Sequence, residues 1–254
     1  MPDARRLIVN DLLVGIAEEL DISPTKYKEA VERYEAIGRW LEKGEYPETC
    51  GLPHIYPQGS FRLGTVVRPL KGGQECEFDI DLACQLDCKT TVTASKLKSL
   101  IGDRLKENET YQAMLKPEGR RCWTLIYAET DGVGFHLDAL PCKPHPLTCN
   151  YGASAIEITD LNADGSHTYG MSNPNGFADW FLDRQRVMFN EVKWVEKQHI
   201  VERYRAAYAQ IDQVPDALVR TPLQRLVQVL KRHRDARFSG QPEERDRPIS
   251  VILT

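Results

Sequence analysis

The spacing of apolar residues predicts two helices before any candidate chemistry begins. Apolar side chains recur every three or four positions over residues 8–20 and again over residues 27–41. That period places them on one face of a helix. Ser23 and Pro24 supply an N-cap and a first-turn proline for the second helix, which we expect to end at Gly44. A helical pair therefore opens the chain.

Shorter apolar runs bounded by glycine, proline, asparagine or aspartate predict strands in the middle of the chain. The dipeptide Asp131-Gly132 lies between two of these runs and is typical of a hairpin turn. Residues 162–175 are rich in glycine, asparagine and serine and predict a loop. The predicted strands are residues 54–58, 66–70, 77–82, 122–128, 133–140 and 155–158.

Helical periodicity returns in three other places. Residues 97–105 predict an amphipathic helix with its lysines on the outer side, and a longer helical stretch runs from Phe177 past Val192 to a break at Pro215. Thr221-Pro222 predicts the start of a last helix. That helix has an apolar side and a basic side, and the basic side carries Lys231, Arg232 and Arg234.

Composition limits the classes of function. A chain of 254 residues is long enough to bury a substantial core. Its 33 basic and 37 acidic residues give a net charge of -4, which disfavours broad binding to a nucleic-acid backbone. No apolar stretch is long enough to cross a bilayer, and the N-terminus lacks the apolar core of a signal peptide. We therefore expect a cytoplasmic protein without a membrane segment.

The cysteines point to the same compartment. There are seven, unevenly spaced and odd in number, so they do not predict a disulfide framework. Cys84 and Cys88 are four positions apart, but no paired sets of two cysteines with zinc-ligand spacing are present. The sequence therefore predicts a reducing compartment and no structural zinc.

Two acidic residues dominate the candidate chemistry. Side chains two apart in a strand point to the same face, so Asp79 and Asp81 project together while Phe78, Ile80 and Leu82 face the core. Adjacent carboxylates repel each other unless a cation lies between them. Hard divalent cations prefer oxygen ligands. Asp138, on a later predicted strand that also carries His136, would supply a third carboxylate if the two strands are neighbours.

A glycine-serine turn precedes the acidic strand. Gly59 and Ser60 begin the segment GSFRLGT at residues 59–65 and are predicted to open a helix. The unpaired N–H groups of a helix N-terminus attract phosphate. A phosphate cradle beside metal-binding carboxylates is typical of nucleotidyl transfer, in which protein contributes mainly charge and alignment. Each feature alone also has an ordinary structural explanation, and their order and spacing make the combination more specific.

The motifs together resemble those of a known family. The segment GSFRLGT, the segment EFDIDL at residues 77–82, SNPNGF at residues 172–177 and LKRHRD at residues 230–235 are similar to those of bacterial cGAS/DncV-like nucleotidyltransferases. These enzymes belong to the polymerase-β-like superfamily and serve CBASS anti-phage signalling. The resemblance runs from the N-terminal helices to the last residue.

The resemblance implies an α+β fold. It consists of a polymerase-β-like catalytic lobe with a mixed sheet, a helical second lobe and a cleft between them. The corresponding division of the chain is N-terminal bracing helices at residues 1–50, a catalytic core at 51–170 and a helical lobe at 171–254. Because members of the family continue beyond a segment like residues 248–254, we expect this helical lobe to be truncated at its C-terminus.

The resemblance also implies an activity. Such enzymes use two Mg²⁺ ions, with Mn²⁺ as a substitute, join nucleoside triphosphates, chiefly ATP and GTP, into a cyclic or linear oligonucleotide second messenger, and release pyrophosphate. Asp79, Asp81 and Asp138 would bind the metals and act in catalysis. The expected nucleotide- or phosphate-binding residues are Gly59, Ser60, Arg62 and Lys231. A regulatory protein encoded nearby would be a partner, and activation by double-stranded DNA is not expected, since no zinc-bearing loop or basic surface is visible.

Two alternatives stay open at this point. One is a nucleotidyltransferase that modifies a protein, an RNA or a small-molecule acceptor, although the acidic net charge disfavours RNA. The other is a nucleotide-binding regulator without turnover. Incubation with triphosphates alone separates them, because only a synthase makes product without an added acceptor.

Overall fold

The computed structural model describes residues 4–68, 70–71, 74–75, 77–130, 133–146 and 152–240, and over these ranges the fold is α+β. The helices are α1 (Ala4–Leu20), α2 (Pro24–Glu42), α3 (Gly59–Leu63), α4 (Ala94–Lys106), α5 (Glu109–Met114), α6 (Pro174–Arg184), α7 (Arg186–Arg203) and α8 (Pro222–Phe238). The strands are β1 (His54–Gln58), β2 (Leu70–Lys71), β3 (Gln74–Glu75), β4 (Phe78–Gln85), β5 (Trp123–Thr130), β6 (Val133–Pro144), β7 (Ile156–Leu161) and β8 (His167–Ser172). Short 3₁₀ turns at Ile211–Gln213 and Asp216–Leu218 precede α8.

The caps expected from the sequence form at α2 and α8. Before α2, the Ser23 hydroxyl accepts a hydrogen bond from the Lys26 amide at 3.3 Å. Before α8, the Thr221 hydroxyl accepts from the Gln224 amide at 3.3 Å, and the Gln224 side chain accepts from the Thr221 amide at 2.8 Å. This reciprocal pair satisfies two amides that a helix start leaves without partners. The predicted starts of both helices are confirmed.

One six-stranded sheet carries the candidate chemistry. Its strand order is β1-β4-β6-β7-β8, with β5 paired to β6. Strand β1 is antiparallel to β4 and places Gln58 opposite Asp81. Along β4, Phe78, Ile80 and Leu82 are buried, as the alternation predicted. The order makes β4 and β6 neighbours, so it brings together the two strands on which the candidate aspartates lie.

Helix α4 packs on this sheet through apolar side chains. Leu97, Ile101 and Leu105 are fully buried. The Trp123 ring lies against Gly102, where an added Cβ would come within 2.3 Å of the ring. The predicted position of this helix is confirmed, but the prediction that all of its lysines face outward is wrong. Lys98 is buried and donates to the Gly119 carbonyl at 2.9 Å, because its long side chain can satisfy that acceptor from inside the core.

The chain contacts define two compact units. Unit 1 takes in Met1–Lys28, Leu63–Phe78 and Leu182–Thr254, and unit 2 takes in Glu29–Arg62 and Asp79–Phe181. Unit 2 contains the six-stranded sheet, and unit 1 contains α1, α7 and α8. Within the described residues, no helix combines the length and the hydrophobicity that a membrane span requires.

The predicted strand at residues 66–70 is mostly wrong. Residues 65–68 are not in a strand, and only Leu70–Lys71 forms one, in a short hairpin with Gln74–Glu75. Side chains from α8 donate hydrogen bonds to the carbonyl groups of this segment instead. Gln228 donates to the Val66 carbonyl at 3.0 Å, and Arg232 donates to the Arg68 carbonyl at 3.0 Å. Backbone groups satisfied this way do not need a neighbouring strand.

The predicted loop at residues 162–175 is also wrong in part. Residues His167–Ser172 form β8, which pairs with β7 along its whole length. Only the turn before it is loop-like: Gly165 has a φ of +83°, and the Asp164 carboxylate accepts from the Ser166 amide at 2.9 Å. Polar composition reflected the exposed face of an edge strand, not an absence of strand. The predicted segment 248–254 lies outside the described residues.

Two cysteines form a disulfide that the sequence did not predict. Cys50 and Cys88 form a disulfide 38 residues apart in sequence, at the end of the β1–β4 pair. The surrounding backbone is paired as well, since the Lys89 amide donates to the Thr49 carbonyl at 2.9 Å and the Gly51 amide to the Asp87 carbonyl at 3.1 Å. Strand pairing, which spacing alone does not reveal, brings the two cysteines together.

Breaking this disulfide is expected to destabilise the chain. Because it closes a loop of 38 residues, reduction should lower the free energy of unfolding by about 2–4 kcal/mol. Urea unfolding with and without dithiothreitol measures the change, and a Cys50→Ser, Cys88→Ser double variant is the control that should no longer respond to reductant. Equal stability of the parent protein in both conditions would contradict the prediction.

Candidate active site

Asp79 and Asp81 lie on the same face of β4, between buried apolar neighbours. The Asp79 side chain is 58% exposed, so its carboxylate is accessible to a ligand. Asp81 is half-buried, and Phe78, Ile80 and Leu82 on the opposite face are buried in the core. The strand therefore holds both carboxylates on one face, and the buried apolar residues of the other face fix its backbone.

Asp81 also lies directly against Gly59. The carboxylate occupies the place where a side chain at residue 59 would begin, since an added Cβ would lie 2.3 Å from Asp81 Oδ2. Gly59 has a φ of +59°, a conformation that favours glycine. The turn from β1 into α3 thus needs glycine for two independent reasons. Ser60 is the next residue, in the first turn of α3.

Asp138 lies on β6, the neighbouring strand, and is held by Thr124 of β5. The two residues are directly opposite in the β5–β6 register, and the Thr124 hydroxyl donates a hydrogen bond to Asp138 Oδ1. His136 lies on the same strand, with Nδ1 3.5 Å from Asp79 Oδ1. The Thr124 hydrogen bond therefore orients the Asp138 carboxylate, and the His136 ring lies beside the Asp79 carboxylate.

Cys122, the residue before β5, is influenced by carboxylates of both β4 and β6. Its pKa is raised to about 12, first because the side chain is buried and then because of the negative charges of Asp138 and Asp81. Both charges act on one side chain at the start of β5. The strand order, which makes β4 and β6 neighbours, brings Asp81 and Asp138 to a common region of the sheet, which was the condition that the sequence analysis set.

The donor chemistry suits a hard cation. Asp79, Asp81 and Asp138 offer carboxylate oxygens, which Mg²⁺ prefers. In the part of the chain that the structure describes, no three His, Cys, Asp or Glu side chains converge closely enough to form a metal cluster. What the structure contains is a set of three carboxylates on two neighbouring strands.

Arg62 has protein partners in the structure. Its guanidinium donates to Asn175 Oδ1 and lies 3.4 Å from Asp179 Oδ1. Both partners belong to the first turns of α6, whose start is capped by Asn173 through the Gly176 amide at 2.8 Å. Arg62 thus joins the GSFRLGT segment to the SNPNGF segment, and its expected nucleotide contact stays a prediction.

Lys231 reaches the end of the GSFRLGT segment. Its Nζ donates to the Thr65 carbonyl at 2.9 Å, and Gln224, on the same helix, donates to the Leu63 carbonyl at 2.8 Å. Gly64, between Leu63 and Thr65, has a φ of +65°, and an added Cβ there would lie 2.6 Å from the side-chain Nε2 of Gln224. Helix α8 therefore fixes the backbone that follows Ser60, and this is where the structure places the predicted lysine.

Sequence reasoning missed Thr124 and Cys122 and gave His136 no role. Signals existed for two of them: His136 precedes Asp138 by two positions, and Thr124 lies on the partner strand of the hairpin. Neither residue type is diagnostic of a site, so only the observed register makes their contacts visible.

A separate cavity of about 470 Å³ lies in unit 1. None of the described residues that line it belongs to the predicted site. Two of its acidic groups are in ion pairs, Asp21 with Arg220 at 3.2 Å and Glu196 with Arg225 at 2.6 Å. We assign it no part in the candidate chemistry.

Comparison with known proteins gives a consistent result. Residues 53–141 match the family model for the nucleotidyltransferase domain of DncV-like cyclic GMP-AMP synthases. A c-di-GMP synthase of Roseivirga ehrenbergii is 32% identical over 251 residues, which cover 97% of this chain and 59% of that protein. The cyclic dinucleotide synthase CdnG of Bradyrhizobium diazoefficiens is 26% identical over 249 residues, 96% of this chain and 56% of that protein.

The fold agrees with a solved structure. The CD-NTase CdnG of Bradyrhizobium diazoefficiens, solved in complex with GTP, superposes with a TM-score of 0.65 at 24% identity. The match covers 91% of this chain and 64% of that one. The chain therefore spans less than two thirds of the length of these relatives, and its α+β fold is similar to that of this solved structure. The matched residues 53–141 carry Gly59 and the three aspartates, so the part of the chain that is similar to the DncV-like nucleotidyltransferase domain includes the candidate site.

Proposed function

We propose that this chain is a nucleotidyltransferase that joins nucleoside triphosphates into a cyclic or linear oligonucleotide second messenger. The observation that carries the proposal is the placement of Asp81 against Gly59 at the turn from β1 into α3, with Asp79 beside it and Asp138 on the next strand. Both relatives described above are named as cyclic dinucleotide synthases, which supports the same class of reaction.

The proposed reaction is a nucleotidyl transfer. A ribose hydroxyl oxygen attacks the α-phosphorus of a donor triphosphate, a new P–O bond forms, and the bond from that phosphorus to the β-bridging oxygen breaks. Pyrophosphate leaves with the bonding electrons. Asp138 is proposed to accept the hydroxyl proton, since a carboxylate within hydrogen-bond reach can act as a general base. The Thr124 hydroxyl, which donates to one Asp138 oxygen, would leave the other oxygen available.

Asp79, Asp81 and Asp138 are proposed to hold Mg²⁺, two ions as in related chemistry, with Mn²⁺ as a substitute. When bound, the metal would neutralise charge that develops on the donor phosphates and on the attacking oxygen. Strand β4 contributes a fixed backbone, so the two carboxylates need little reorganisation to act together. His136, 3.5 Å from Asp79, would restrict the orientation of that carboxylate.

Gly59, Ser60 and Lys231 are proposed to hold the donor phosphates. Gly59 turns the chain sharply beside Asp81. Ser60 is the next residue, and we propose that its amide and hydroxyl bind the phosphates. Lys231 donates to the Thr65 carbonyl, in the same short segment, and would supply a point charge of the kind that binds phosphate. GTP is a proposed substrate, because one relative is named a c-di-GMP synthase and the similar solved structure holds GTP. ATP is the other candidate.

The test is product analysis with no acceptor added. The protein is incubated with all four nucleoside triphosphates and Mg²⁺, treated with phosphatase and analysed by mass spectrometry, with an EDTA-treated sample as control. We expect a phosphatase-resistant oligonucleotide that contains guanosine and is absent with EDTA. Transfer only after a protein, RNA or small-molecule acceptor is added would replace the synthase with an acceptor-modifying enzyme. Binding without any transfer would leave a nucleotide-binding regulator.

A further inference from the structure

Arg62 lies two residues after Ser60, yet its guanidinium points to α6. It donates to Asn175 Oδ1 and lies 3.4 Å from Asp179 Oδ1, with 27% of its side chain exposed. Asp179 is a largely exposed carboxylate, 73% accessible, so this ion pair is a weak one. We therefore argue the role of Arg62 from its hydrogen bond to the neutral Asn175 side chain.

Asn175 is itself fixed from two directions. Its backbone lies in the first turn of α6, where Asn173 accepts from the Gly176 amide at 2.8 Å and from the Ser154 hydroxyl at 2.9 Å. Its side chain also lies near the hydroxyl of Tyr56 and acts to lower the pKa of that group. That tyrosine is buried on β1, and its hydroxyl donates to Gln85 Oε1 at 3.1 Å.

Two hydrogen bonds, from Tyr56 to Gln85 and from Arg62 to Asn175, thus lie on either side of the proximity between Tyr56 and Asn175. Burial raises the pKa of Tyr56 above its usual value, so the hydroxyl stays protonated and can donate and accept at once. Gln85 and Asp81 belong to the same strand, and Tyr56 lies three residues before Gly59. The link therefore runs from Gln85, opposite His54 at the far end of the β1–β4 pair, to Arg62, two residues after Ser60.

We propose that Arg62 is a positioning residue that holds the Gly59-Ser60 turn in register through Asn175, and that it is not a ligand of the donor phosphates. This inference rests on the proposed nucleotidyl transfer. A rigid link matters there because a displacement of about 1 Å in a reacting group can cost roughly 100-fold in rate. Two of the guanidinium nitrogens are already directed at α6, which is the geometry of a planar fork and not of a free phosphate clamp.

The two roles predict different kinetics. If Arg62 positions the turn through Asn175, Arg62→Ala and Asn175→Ala should each lower kcat by about 10- to 100-fold while KM for GTP changes by less than about twofold. The double variant should then be no worse than the poorer single variant, because both changes break the same link. If Arg62 binds phosphate, KM should rise with Arg62→Ala, and the effects should multiply.

The conservative variant separates the roles again. Arg62→Lys keeps the charge but loses the fork, so it should restore little of kcat if Arg62 is a positioning residue and much of it if a point charge on phosphate is what matters. Arg39→Ala is the matched control, since Arg39 forms an exposed pair with Glu35 at 3.5 Å on α2. We expect Arg39→Ala to leave kcat and KM within about twofold of the parent values.

Binding stoichiometry excludes a purely structural effect. Each variant is titrated with a non-hydrolysable GTP analogue and its thermal midpoint is recorded. The inference expects about the same number of binding sites and the same Kd as the parent, with reduced kcat. Three results would overturn it: effects of Arg62→Ala and Asn175→Ala that multiply in the double variant, restoration of most of kcat by Arg62→Lys, or a loss of GTP-analogue binding sites equal to the loss of kcat. If the parent protein neither binds the analogue nor releases pyrophosphate, the proposed function fails first and this inference fails with it.

Discussion

Replacing both Asp79 and Asp81 with asparagine is expected to abolish triphosphate joining, with a loss of at least about a thousandfold in kcat/KM. Asparagine keeps the size of the side chain but removes the negative charge that would bind Mg²⁺ beside the donor phosphates. Stabilisation of several kcal/mol is at stake in such sites, and about 4 kcal/mol corresponds to a thousandfold. Initial rates of pyrophosphate release measure the effect.

The fold should survive this change. Asp79 is 58% exposed and the packing of β4 depends on the apolar residues of its other face, so the thermal midpoint should stay within a few degrees of the parent value. Asp103→Asn is the control, because Asp103 lies on exposed α4 surface 3.6 Å from Lys106 and has no proposed role. A double variant that keeps more than a tenth of the parent rate would remove the carboxylates from the mechanism.

Gly59→Ala is expected to cost about 100-fold in turnover, the second-largest effect. The new Cβ would start 2.3 Å from Asp81 Oδ2, so the carboxylate must move away from the turn. A displacement of that kind at a reacting centre costs roughly 100-fold. The positive φ adds about 1–3 kcal/mol of backbone strain to the folded state. Kinetics and urea unfolding of the same preparation separate the two contributions.

Gly165→Ala provides the matched comparison. Gly165 also has a positive φ, +83°, but an added Cβ there would meet nothing within 4 Å. It should therefore show the strain without the loss of turnover. If the two variants lose stability to a similar extent and both keep near-parent kcat, the contact between Gly59 and Asp81 has no functional importance.

The pattern of apolar and polar residues predicted most of the helices and strands, because the signals for these elements are local. Helix caps at Ser23 and Thr221, alternation along β4 and the glycine-serine turn each depend on neighbouring residues only, and all formed where the sequence predicted. The aspartate pair was visible for the same reason. What remained a condition in the sequence analysis was whether the strand of Asp138 lies next to β4, since strand order is a tertiary property.

The contacts that orient the site depend on register, and register was not predictable. A two-residue turn at residues 131–132 would pair Thr124 with Ala139. An irregularity between Tyr127 and Thr130 shifts the β5–β6 pairing by one residue, so Thr124 lies opposite Asp138. One position decides whether a hydroxyl reaches the third carboxylate.

Partners distant in sequence explain the other differences. Residues 65–68 lack a strand because α8, more than 150 residues later in the chain, satisfies their carbonyls through Gln228, Lys231 and Arg232. The Cys50–Cys88 disulfide forms because β1 and β4 pair. Neither contact leaves a periodic or compositional signal.

Pyrophosphate release with GTP and ATP as the only organic substrates is the most direct test of nucleotidyl transfer by this chain. We expect Mg²⁺-dependent release of one pyrophosphate for each phosphodiester bond formed, abolished by EDTA and by the Asp79→Asn, Asp81→Asn double variant. Consumption of triphosphate with orthophosphate as the product, or pyrophosphate release that the double variant retains, would contradict the account.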